Sequence, residues 1–378
     1  MKLSCTKDNL HQGLSITSHL MAKNTNLPIL QNVLLKAEGG TIRFTATNLD
    51  LAVNCSVRGK VDEPGEYTIP SKLFFDYVSL LPNETIHIQA DEQAAQIECG
   101  THKTKINGLT SAEFPLVPRV LGERSVQIPV GDFKRALSQV LFAVTTNESR
   151  PELTGVSFQF VPHEDEGRLT MAATDSYRLA EATIPVVSPI EEPMALVVPA
   201  KTLAEVNRIL SVFKDDVELP SFLTLSISGS QVVFVYGSVE LISRIIDEQY
   251  PDYRQIIPTQ FQTQALIDRE DFMKAVKSAS LFSKNGLFDV SLGFDPQSKQ
   301  LCVSATDATR GHNQSQCSAD VSGQANTVTV NYRYLLDGLQ AISSDQVMFE
   351  MIDPGNPCLL TPKGATEGFR YVVMPIKQ

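Results

Sequence analysis

Two periods alternate in the pattern of apolar and polar residues along the chain. Apolar residues three and four positions apart, which form one stripe on a helix, are clearest at Phe133, Leu137, Val140, Leu141 and Val144. The segment from Gly155 to Phe160 instead alternates apolar and polar residues between turn formers, which is typical of a half-buried strand. Such elements predict helices packed on one face of an antiparallel sheet.

A short phrase at the end of a predicted strand occurs once in each third of the chain. Alanine and threonine are followed there by an amide or a carboxylate, at Asn48, Asp175 and Asp307. The intervals are roughly 130 residues, which is the size of a domain and far longer than the roughly 20 to 50 residues of a solenoid repeat. The phrase therefore predicts three copies of one fold.

Two predicted helices recur in register with this phrase. The first helix of each copy covers Leu10 to Met21, Phe133 to Val144 and Phe272 to Phe282. The second follows a strand and a break, and it has a basic residue near its start, at Lys72, Lys201 and Arg333. Because the order is constant, we predict an α+β chain of three tandem domains, each with two helices on an antiparallel sheet, at residues 1–123, 124–258 and 259–378.

The composition is that of ordinary globular domains, with 42% hydrophobic and 20% charged residues. No segment approaches ~18 uninterrupted apolar residues and the amino terminus alternates, so we expect no membrane span, no signal peptide and a cytoplasmic location. The six cysteines lack the two-residue separation of zinc or redox motifs, and the six histidines are scattered. We therefore expect buried reduced thiols, no metal and no cofactor.

Basic residues collect on the polar faces of the predicted helices, although the formal net charge of the chain is −11. At about 100° per residue, Lys201 and Arg208 fall opposite the apolar stripe of their helix, and Lys274 and Lys277 do so in the third copy. For a single helix, a solvated face explains such lysines. Repetition instead favours one basic surface that attracts a polyanion weakly, with the acidic residues elsewhere.

Several phrases, in their order along the whole chain, resemble the bacterial DNA polymerase III beta subunit, the sliding clamp family. They are Leu27-Pro28-Ile29-Leu30, Thr174-Asp175-Ser176-Tyr177-Arg178-Leu179 and Tyr371-Val372-Val373-Met374-Pro375. The resemblance implies a head-to-tail homodimer whose six domains close into a ring around duplex DNA. It also implies a processivity factor without catalytic activity, which tethers the replicative polymerase and is placed on DNA by a clamp loader.

By matching position, the resemblance assigns DNA contacts to Lys23, Lys72, Arg150, Lys201 and Arg208. Helical phase adds Lys274, Lys277 and Arg333. Such a surface needs positive charge without base-reading groups, because enclosure retains the protein while each phosphate contact stays weak. The absence of tryptophan and an aromatic content of 7% also fit duplex tracking better than stacking on single strands.

The resemblance also implies a pocket, between the second and third domains, that receives short linear motifs of polymerases, the clamp loader and repair proteins. The matching residues are Leu153, Thr174, Tyr177, Arg178, Leu179, Pro251, Ile256, Val372, Val373, Met374, Pro375 and Ile376. Methionine and proline walls suit extended peptides of varied sequence, because a flexible thioether repacks around different anchors. Residues 371–376 equally suit the last strand of the third sheet, and the two interpretations are compatible.

Three departures from the family pattern concern this pocket. Ser176-Tyr177 stands where Gly-His is common, Gln255 replaces a frequent arginine, and the chain ends Lys377-Gln378 where Arg-Leu is familiar. We expect the pocket to persist with a changed motif preference. Loss of an exposed cation at Gln255 weakens contacts with acidic motif residues by about 0.2–1 kcal/mol.

Two other function classes fit parts of the pattern. Repeated carboxylate-bearing turns could serve a three-domain hydrolase, yet Asn48 would be a poor acid or base, and Asx residues after a strand usually bond their own backbone. A repeat adaptor would bind peptides without DNA. DNA retention that ignores changes at Lys201 and Arg208 would indicate the adaptor, and turnover lost on changing Asp175 would indicate the hydrolase.

Overall fold

The structure is a computed structural model that describes residues 1–20, 27–117, 124–163, 166–213, 220–284, 286–364 and 368–377. Six α-helices lie in these ranges, two in each predicted copy: α1 Lys7–Thr17, α2 Ser71–Leu80, α3 Val130–Val140, α4 Ala200–Val212, α5 Arg269–Ser280 and α6 Tyr332–Ala341. The predicted order of helices is confirmed. The opening helices α3 and α5 end before Val144 and Phe282, because a 3₁₀ turn at Leu141–Ala143 follows α3 and turns follow α5.

The strands of the first copy are β1 Lys2–Thr6, β2 Asn32–Glu38, β3 Thr41–Thr47, β4 Leu51–Arg58, β5 Lys60–Glu63, β6 Gly65–Pro70, β7 Thr85–Ala90, β8 Ala94–Cys99 and β9 His102–Asn107. The second copy contains β10 Arg124–Pro129, β11 Gly155–His163, β12 Glu166–Thr174, β13 Arg178–Val186, β14 Met194–Pro199, β15 Phe222–Ser228, β16 Gln231–Tyr236 and β17 Val239–Arg244. The third contains β18 Thr263–Asp268, β19 Asp289–Asp295, β20 Gln300–Asp307, β21 Gly311–Gly323, β22 Asn326–Asn331, β23 Gln346–Met351, β24 Cys358–Pro362 and β25 Gly368–Val373.

The described strands pair antiparallel in three sheets, of which the five-stranded sheet has the order β5-β1-β7-β8-β9. The eight-stranded sheet is β10-β15-β16-β17-β4-β3-β2-β6, and the twelve-stranded sheet is β14-β11-β12-β13-β25-β24-β23-β18-β21-β20-β19-β22. We call β4, β13 and β21, which follow the three Asx positions, the post-turn strands, and β9, β17 and β25 the terminal strands. The terminal strands β17 and β25 pair with the post-turn strands β4 and β13 of the preceding copy.

Contacts between Cα atoms divide the chain into two compact units, Met1–Val130 with Ala204–Ile245 and Gly131–Leu203 with Ile246–Gln378. This division cuts through the second copy, because its strand β17 pairs in the first unit and its strand β13 pairs in the second. The predicted domain boundaries at residues 123 and 258 follow the sequence repeat and stay predictions.

The helices are held by the apolar stripes that the sequence predicts. Phe133, Leu137 and Val140 of α3 are fully buried, as are Phe272 and the other stripe residues of α5. Burial of a side chain of this size contributes about 1.5–3 kcal/mol. The polar faces of both helices are left to solvent, which is where the lysines lie.

The six cysteines form no disulfide, and five of them are buried while Cys302 is half-buried. Burial raises the pKa of Cys5 to about 11 and those of Cys55 and Cys358 to about 12, so these thiols stay protonated near neutral pH. The expectation of buried free thiols is confirmed for five of the six. No helix among the described residues is long and apolar enough to cross a membrane.

A close approach of α6 to β25 generates a test of this packing. A Cβ at Gly338 would lie 2.2 Å from Cδ1 of Tyr371, which is fully buried and donates its hydroxyl proton to the carbonyl of Tyr334 at 2.7 Å. Because neither side can yield easily, we expect Gly338→Ala to lower the free energy of unfolding by about 1–3 kcal/mol. Urea denaturation followed by circular dichroism measures the change.

Gly131→Ala is the matched control, because it is also a helical glycine but no atom lies within 4 Å of its added Cβ. Alanine has the higher helix propensity, so this variant should be neutral or more stable by up to about 1 kcal/mol. Equal effects of the two substitutions would contradict the close contact at Gly338.

Candidate functional site

The three Asx residues form the same turn. Oδ1 of Asn48, Asp175 or Asp307 accepts hydrogen bonds from the backbone N–H groups two and three residues later, at 2.8–3.1 Å. At Asp307 the hydroxyl of Thr309 also donates, and these bonds hold the pKa of the carboxyl below its usual range. The Asx-turn interpretation is confirmed, and in each turn one side-chain oxygen is already engaged by backbone N–H groups.

Arg178, the last residue of the second turn, joins three parts of its unit. Its Nε donates to Asp175 at 2.9 Å, its Nη1 donates to Asp337 of α6, and its Nη2 donates to the carbonyl of Phe142 at 2.6 Å. The rings of Phe142 and Tyr334 lie 5.4 and 4.5 Å from Cζ. Because 11% of this side chain is exposed, its charge-assisted bonds are little screened and fix the turn against α6.

The chain beyond β25 lies beside the second turn. The N–H of Met374 donates to the carbonyl of Tyr177 at 2.9 Å, directly after the pairing of β25 with β13. Two residues later, the N–H of Ile376 donates to the carbonyl of Thr329 in β22 at 2.8 Å. These bonds place residues 374–376 against the turn.

A buried apolar cluster joins the strands that carry this segment. Its members are Ala172, Leu179, Tyr253, Leu359 and Val372, with Tyr250, Ile257 and Phe261 packed against them. The hydroxyl of Tyr253 donates to the buried carboxylate of Glu181 at 2.8 Å. Burial and the adjacent carboxylate raise the pKa of Tyr253, so the tyrosine remains a donor and satisfies an otherwise costly buried charge.

A groove of about 730 Å³ opens at the turn, lined by Ser176, Tyr177, Gly286, Leu287, Asn331, Tyr334, Gly355, Pro357, Met374, Pro375, Ile376 and Lys377. Tyr177 is 63% exposed and Leu287 is 52% exposed, so large apolar side chains face solvent at its mouth. A concave surface of this size with apolar walls suits an extended peptide. We call it the third-copy groove.

Four of the predicted pocket residues line the third-copy groove: Tyr177, Met374, Pro375 and Ile376. Leu179 and Val372 lie in the buried cluster instead, and Arg178 holds the turn. The remaining predicted residues are the buried Leu153, Thr174 and Val373 and the exposed Pro251 and Ile256. Their part in peptide binding stays a prediction.

The prediction omitted several lining residues, among them Leu287, Tyr334 and Pro357. Tyr334 follows Arg333 at the start of α6. The signal in the sequence that could have identified Tyr334 as a lining residue is that it is an aromatic residue near a predicted polar face. Leu287 and Pro357 lie in irregular segments between elements. Their position beside Met374 depends on strand pairing, which leaves no local signature.

The departures noted in the sequence also have structural consequences. Ser176 has a left-handed φ of 78°, a conformation that favours glycine. The side-chain amide of Gln255 donates to Asp252 at 2.7 Å and is exposed. The turn therefore keeps its backbone form with serine, while no cation stands at residue 255.

Four predicted DNA-facing lysines are exposed on helices: Lys72 on α2, Lys201 on α4, and Lys274 and Lys277 on α5. Lys274 lies 3.5 Å from Asp271 and 3.9 Å from Glu270, and its side chain is 72% exposed. Within the part of the chain that the structure describes, the other three form no ion pair. Exposed ammonium groups of this kind are available to phosphates.

The predicted arginines are more constrained. Arg208 donates to the carbonyls of Ser15 and Ile16 at the end of α1, at 3.0 and 2.7 Å, and to Glu205. These bonds satisfy carbonyls that a helix end leaves without partners, so Arg208 has a structural role whether or not it meets DNA. Arg208 is nevertheless 24% exposed.

Two further predicted arginines contact neighbouring side chains. Arg150 donates to Glu152 at 3.0 Å and to the hydroxyl of Ser176 at 3.1 Å, and Cζ of Arg333 lies 3.6 Å from the ring centre of Phe288. Their DNA contacts stay predictions. Lys23 lies outside the described residues. No group of three or more possible metal ligands occurs among the described residues.

Three family models match the chain in succession. They are the N-terminal, central and C-terminal domains of the DNA polymerase III beta subunit, at residues 1–118, 127–252 and 254–377. The chain belongs to the DNA polymerase III beta subunit family. The three predicted copies are therefore three tandem clamp domains.

Relatives in this family match the chain over its whole length. The beta sliding clamp of Synechococcus elongatus is 31% identical over 382 residues, covering 100% of this chain and 99% of the relative. The beta sliding clamp of Staphylococcus aureus is 28% identical over 390 residues, with the same coverage. The family is thus one of sliding clamps rather than of a recognised class of enzymes.

Solved clamps have the same fold. The clamp of Bartonella birtlesii bound to griselimycin superposes with a TM-score of 0.92 at 28% identity, covering 100% of both chains. The clamp of Bacillus subtilis gives 0.92 at 26% identity, covering 100% of this chain and 99% of that chain.

Arg178→Gln tests the bonds that hold the turn of this clamp. Loss of the guanidinium leaves two carboxylates without their partner, and hydrogen bonds to charged groups contribute about 1.5–3 kcal/mol. We expect a loss of that size in the free energy of unfolding, measured by urea denaturation. Arg150→Gln is the control: its ion pair is about half exposed, so a change within about 0.5 kcal/mol is expected. Similar losses in both variants would refute a special role for Arg178.

Proposed function

We propose that this protein is a DNA polymerase processivity factor. Two copies close into a ring around duplex DNA, and a groove on each copy tethers the replicative polymerase and other proteins that carry clamp-binding motifs. Family membership supports the function, and the arrangement of the strands supports the closure. The protein acts by enclosure and tethering, without a reaction of its own.

The observation that carries the proposal is the strand pairing between successive copies. Each of β17 and β25 pairs with the post-turn strand of the copy before it. In the described structure, the terminal strand β9 has a partner only in β8, and residues 311–318 of β21 have a partner only in β20. One chain therefore has one free terminal strand, β9, and one free post-turn strand, β21. When two chains meet head to tail, β9 of each chain pairs with β21 of the other.

The internal pairings predict the register of that contact. Leu51 and Arg178 are the third residues after their Asx residues, and they pair with Ser243 and Val373. The third residue after the last Asx residue is Arg310. Residues 109, 246 and 376 hold equivalent positions, because each contacts the strand that directly precedes the second helix of its copy. Counting back three residues places Ile106 opposite the partner's Arg310 and Thr104 opposite the partner's His312.

The exposed lysines on α2, α4 and α5 support the DNA contact. Their ammonium groups attract phosphates without reading bases, which allows a ring to slide. The net charge of −11 repels DNA from the rest of the surface, so the attraction remains weak overall. Lys23, Arg150, Arg208 and Arg333 are included in the proposed DNA-facing set, although the last three also have contacts within the protein.

The third-copy groove supports the tethering. It combines a methionine, two prolines and the exposed Tyr177, which suit extended segments of varied sequence. Partners are the polymerase, the clamp loader and other motif-bearing proteins. Tyr177 enlarges the rim and Gln255 supplies no positive charge, which leaves Lys377 as the cation among the described lining residues, so motifs with apolar anchors should bind better than strongly acidic ones.

Retention on plasmid DNA tests the enclosure. We expect protein placed on nicked circular plasmid by a clamp loader to elute with the DNA in gel filtration, and to be released when a restriction enzyme linearises the plasmid. Release follows because a ring slides off an end while weak contacts do not hold it. Lys201→Glu with Lys277→Glu should reduce retention most at low salt, because raised salt screens the phosphate contacts that these lysines make.

Two controls separate this result from adhesion. In the first control, a bulky protein is bound at both ends of the linearised plasmid, and retention should be restored. Protein that stays on open linear DNA as well as it stays on the circle is held chemically, and that outcome would refute the clamp.

Engineered cysteines test the dimer contact. The pairs equivalent to Ile106 and the partner's Arg310 are Leu51 with Ser243 and Arg178 with Val373. In each pair the two residues do not bond to each other, because the next residue of the terminal strand donates its N–H to the carbonyl that precedes the post-turn residue. Thr104 and the partner's His312 are then also such a pair, with Cα atoms about 4.5 Å apart. We expect Thr104→Cys with His312→Cys to form a covalent dimer on mild oxidation, seen on a non-reducing gel.

The register control is Thr104→Cys with Asn313→Cys, which places the second thiol on the opposite face of the strand. It should stay monomeric on the gel, as should each single variant. Equal cross-linking of the two double variants would show that the predicted register is wrong.

A further inference from the structure

The turn that borders the third-copy groove has a counterpart between the first and second copies. Leu49 and Ser176 occupy the same position in their turns, with left-handed φ values of 80° and 78°. In each turn a threonine hydroxyl, of Thr47 or Thr174, accepts a hydrogen bond from the N–H of that residue at 3.1 Å. The two turns are one backbone structure with different side chains.

A second cavity, of about 350 Å³, opens at the first of these turns. The N–H of Arg244 donates to the carbonyl of Asp50 there, as the N–H of Met374 donates to the carbonyl of Tyr177. The strand registers of β16 with β17 and of β24 with β25 extend the equivalence. Four pairs of equivalent positions line the two cavities: Leu49 and Ser176, Asp50 and Tyr177, Gln231 and Pro357, and Arg244 and Met374.

Apolar side chains face solvent at this cavity. Leu49 is 52% exposed and Leu116, which also lines it, is 98% exposed. A leucine at a left-handed φ is unfavourable because its Cβ crowds the backbone, and glycine would make the same turn without strain. Single exposed leucines are common, but two at one concave site provide anchoring surface for an apolar partner.

The charges at the rim indicate the polarity of the partner. Arg244 is exposed, and it forms no ion pair with another residue in the described ranges. Asp50, on the same rim, disfavours a second carboxylate nearby. The site therefore complements apolar side chains followed by one carboxylate, whereas the third-copy groove has Met374 at the position of Arg244 and its cation, Lys377, at a different position.

We propose that the cavity between the first and second copies is a second peptide site. It binds an extended segment of a partner protein, with apolar side chains two residues apart against Leu49 and Leu116 and a carboxylate at Arg244. This inference rests on the proposed function in one respect: the third-copy groove, which has the same backbone turn, is taken as the example of peptide binding. Each ring would then offer two kinds of site that differ in the position of their cation.

Photocross-linking to the full-length protein tests this site. The probe is the pentapeptide Thr-Leu-Ser-Leu-Asp with a benzophenone on its amino end and an amide at its carboxyl end, compared with the same peptide ending in Lys. Its two leucines lie on one face when it is extended. We expect mass spectrometry to map cross-links to residues 47–52, 115–117 or 242–244, with the Asp probe giving about twofold to fivefold more product than the Lys probe.

Two substitutions distinguish the site from general stickiness. Arg244→Glu should reverse the preference between the probes at these positions, whereas Arg43→Glu, an exposed arginine of β3 outside the cavity, should leave it unchanged. Leu49→Gly should remove at least two thirds of the cross-links while leaving the Tm the same or higher, since it relieves the left-handed leucine. Lost binding would then not reflect unfolding.

Cross-links confined to the third-copy groove, at residues 176–177 or 374–376, would overturn the second site and leave the proposed function intact. Cross-links at the second site that ignore both Arg244→Glu and Leu49→Gly would also overturn it. Cross-links at neither site would refute the proposal and would count against peptide tethering as well. Failure of retention on circular plasmid is a separate result, which concerns the ring alone.

Discussion

Backbone hydrogen bonding at strand edges is the constraint on which the rest of the structure depends. A strand that ends a sheet presents N–H and carbonyl groups in a row, and these need partners. In this clamp β4 and β13 obtain them from the terminal strand of the next copy. The same requirement accounts for the eight- and twelve-stranded sheets, each of which contains strands of two copies. It also favours pairing of the remaining free edges with those of a second chain.

The binding surfaces arise where this pairing stops. The turn before each post-turn strand closes a hairpin, and at the two internal junctions a residue at the end of the terminal strand donates its N–H to a carbonyl of that turn. A concave site lies at each of these two junctions. Side chains then distinguish the sites, since Arg178 is bonded to Asp337 at one junction, while the equivalent Leu51 is buried at the other. The fold thus determines where each site lies, and its side chains determine what the site can bind.

Charge is arranged for mobility rather than for tight binding. The lysines of the helices are exposed, whereas Arg208 of α4 and Arg150, in the segment before β11, are hydrogen-bonded within the protein. A protein that encloses its partner gains retention from topology, so strong phosphate contacts would only slow its movement. A negative total charge is compatible with that role, because it limits adhesion outside the enclosed surface.

The sequence by itself determined the three copies, the helix order, the Asx turns and the family, because apolar period and turn chemistry are local properties. It did not determine that Arg208 caps the end of α1, although helical phase placed it correctly on a polar face. Nor did it reveal Leu287 and Pro357 in the groove. The tertiary structure decided these points, since they depend on strands that pair across more than a hundred residues, and no short segment records its distant partner.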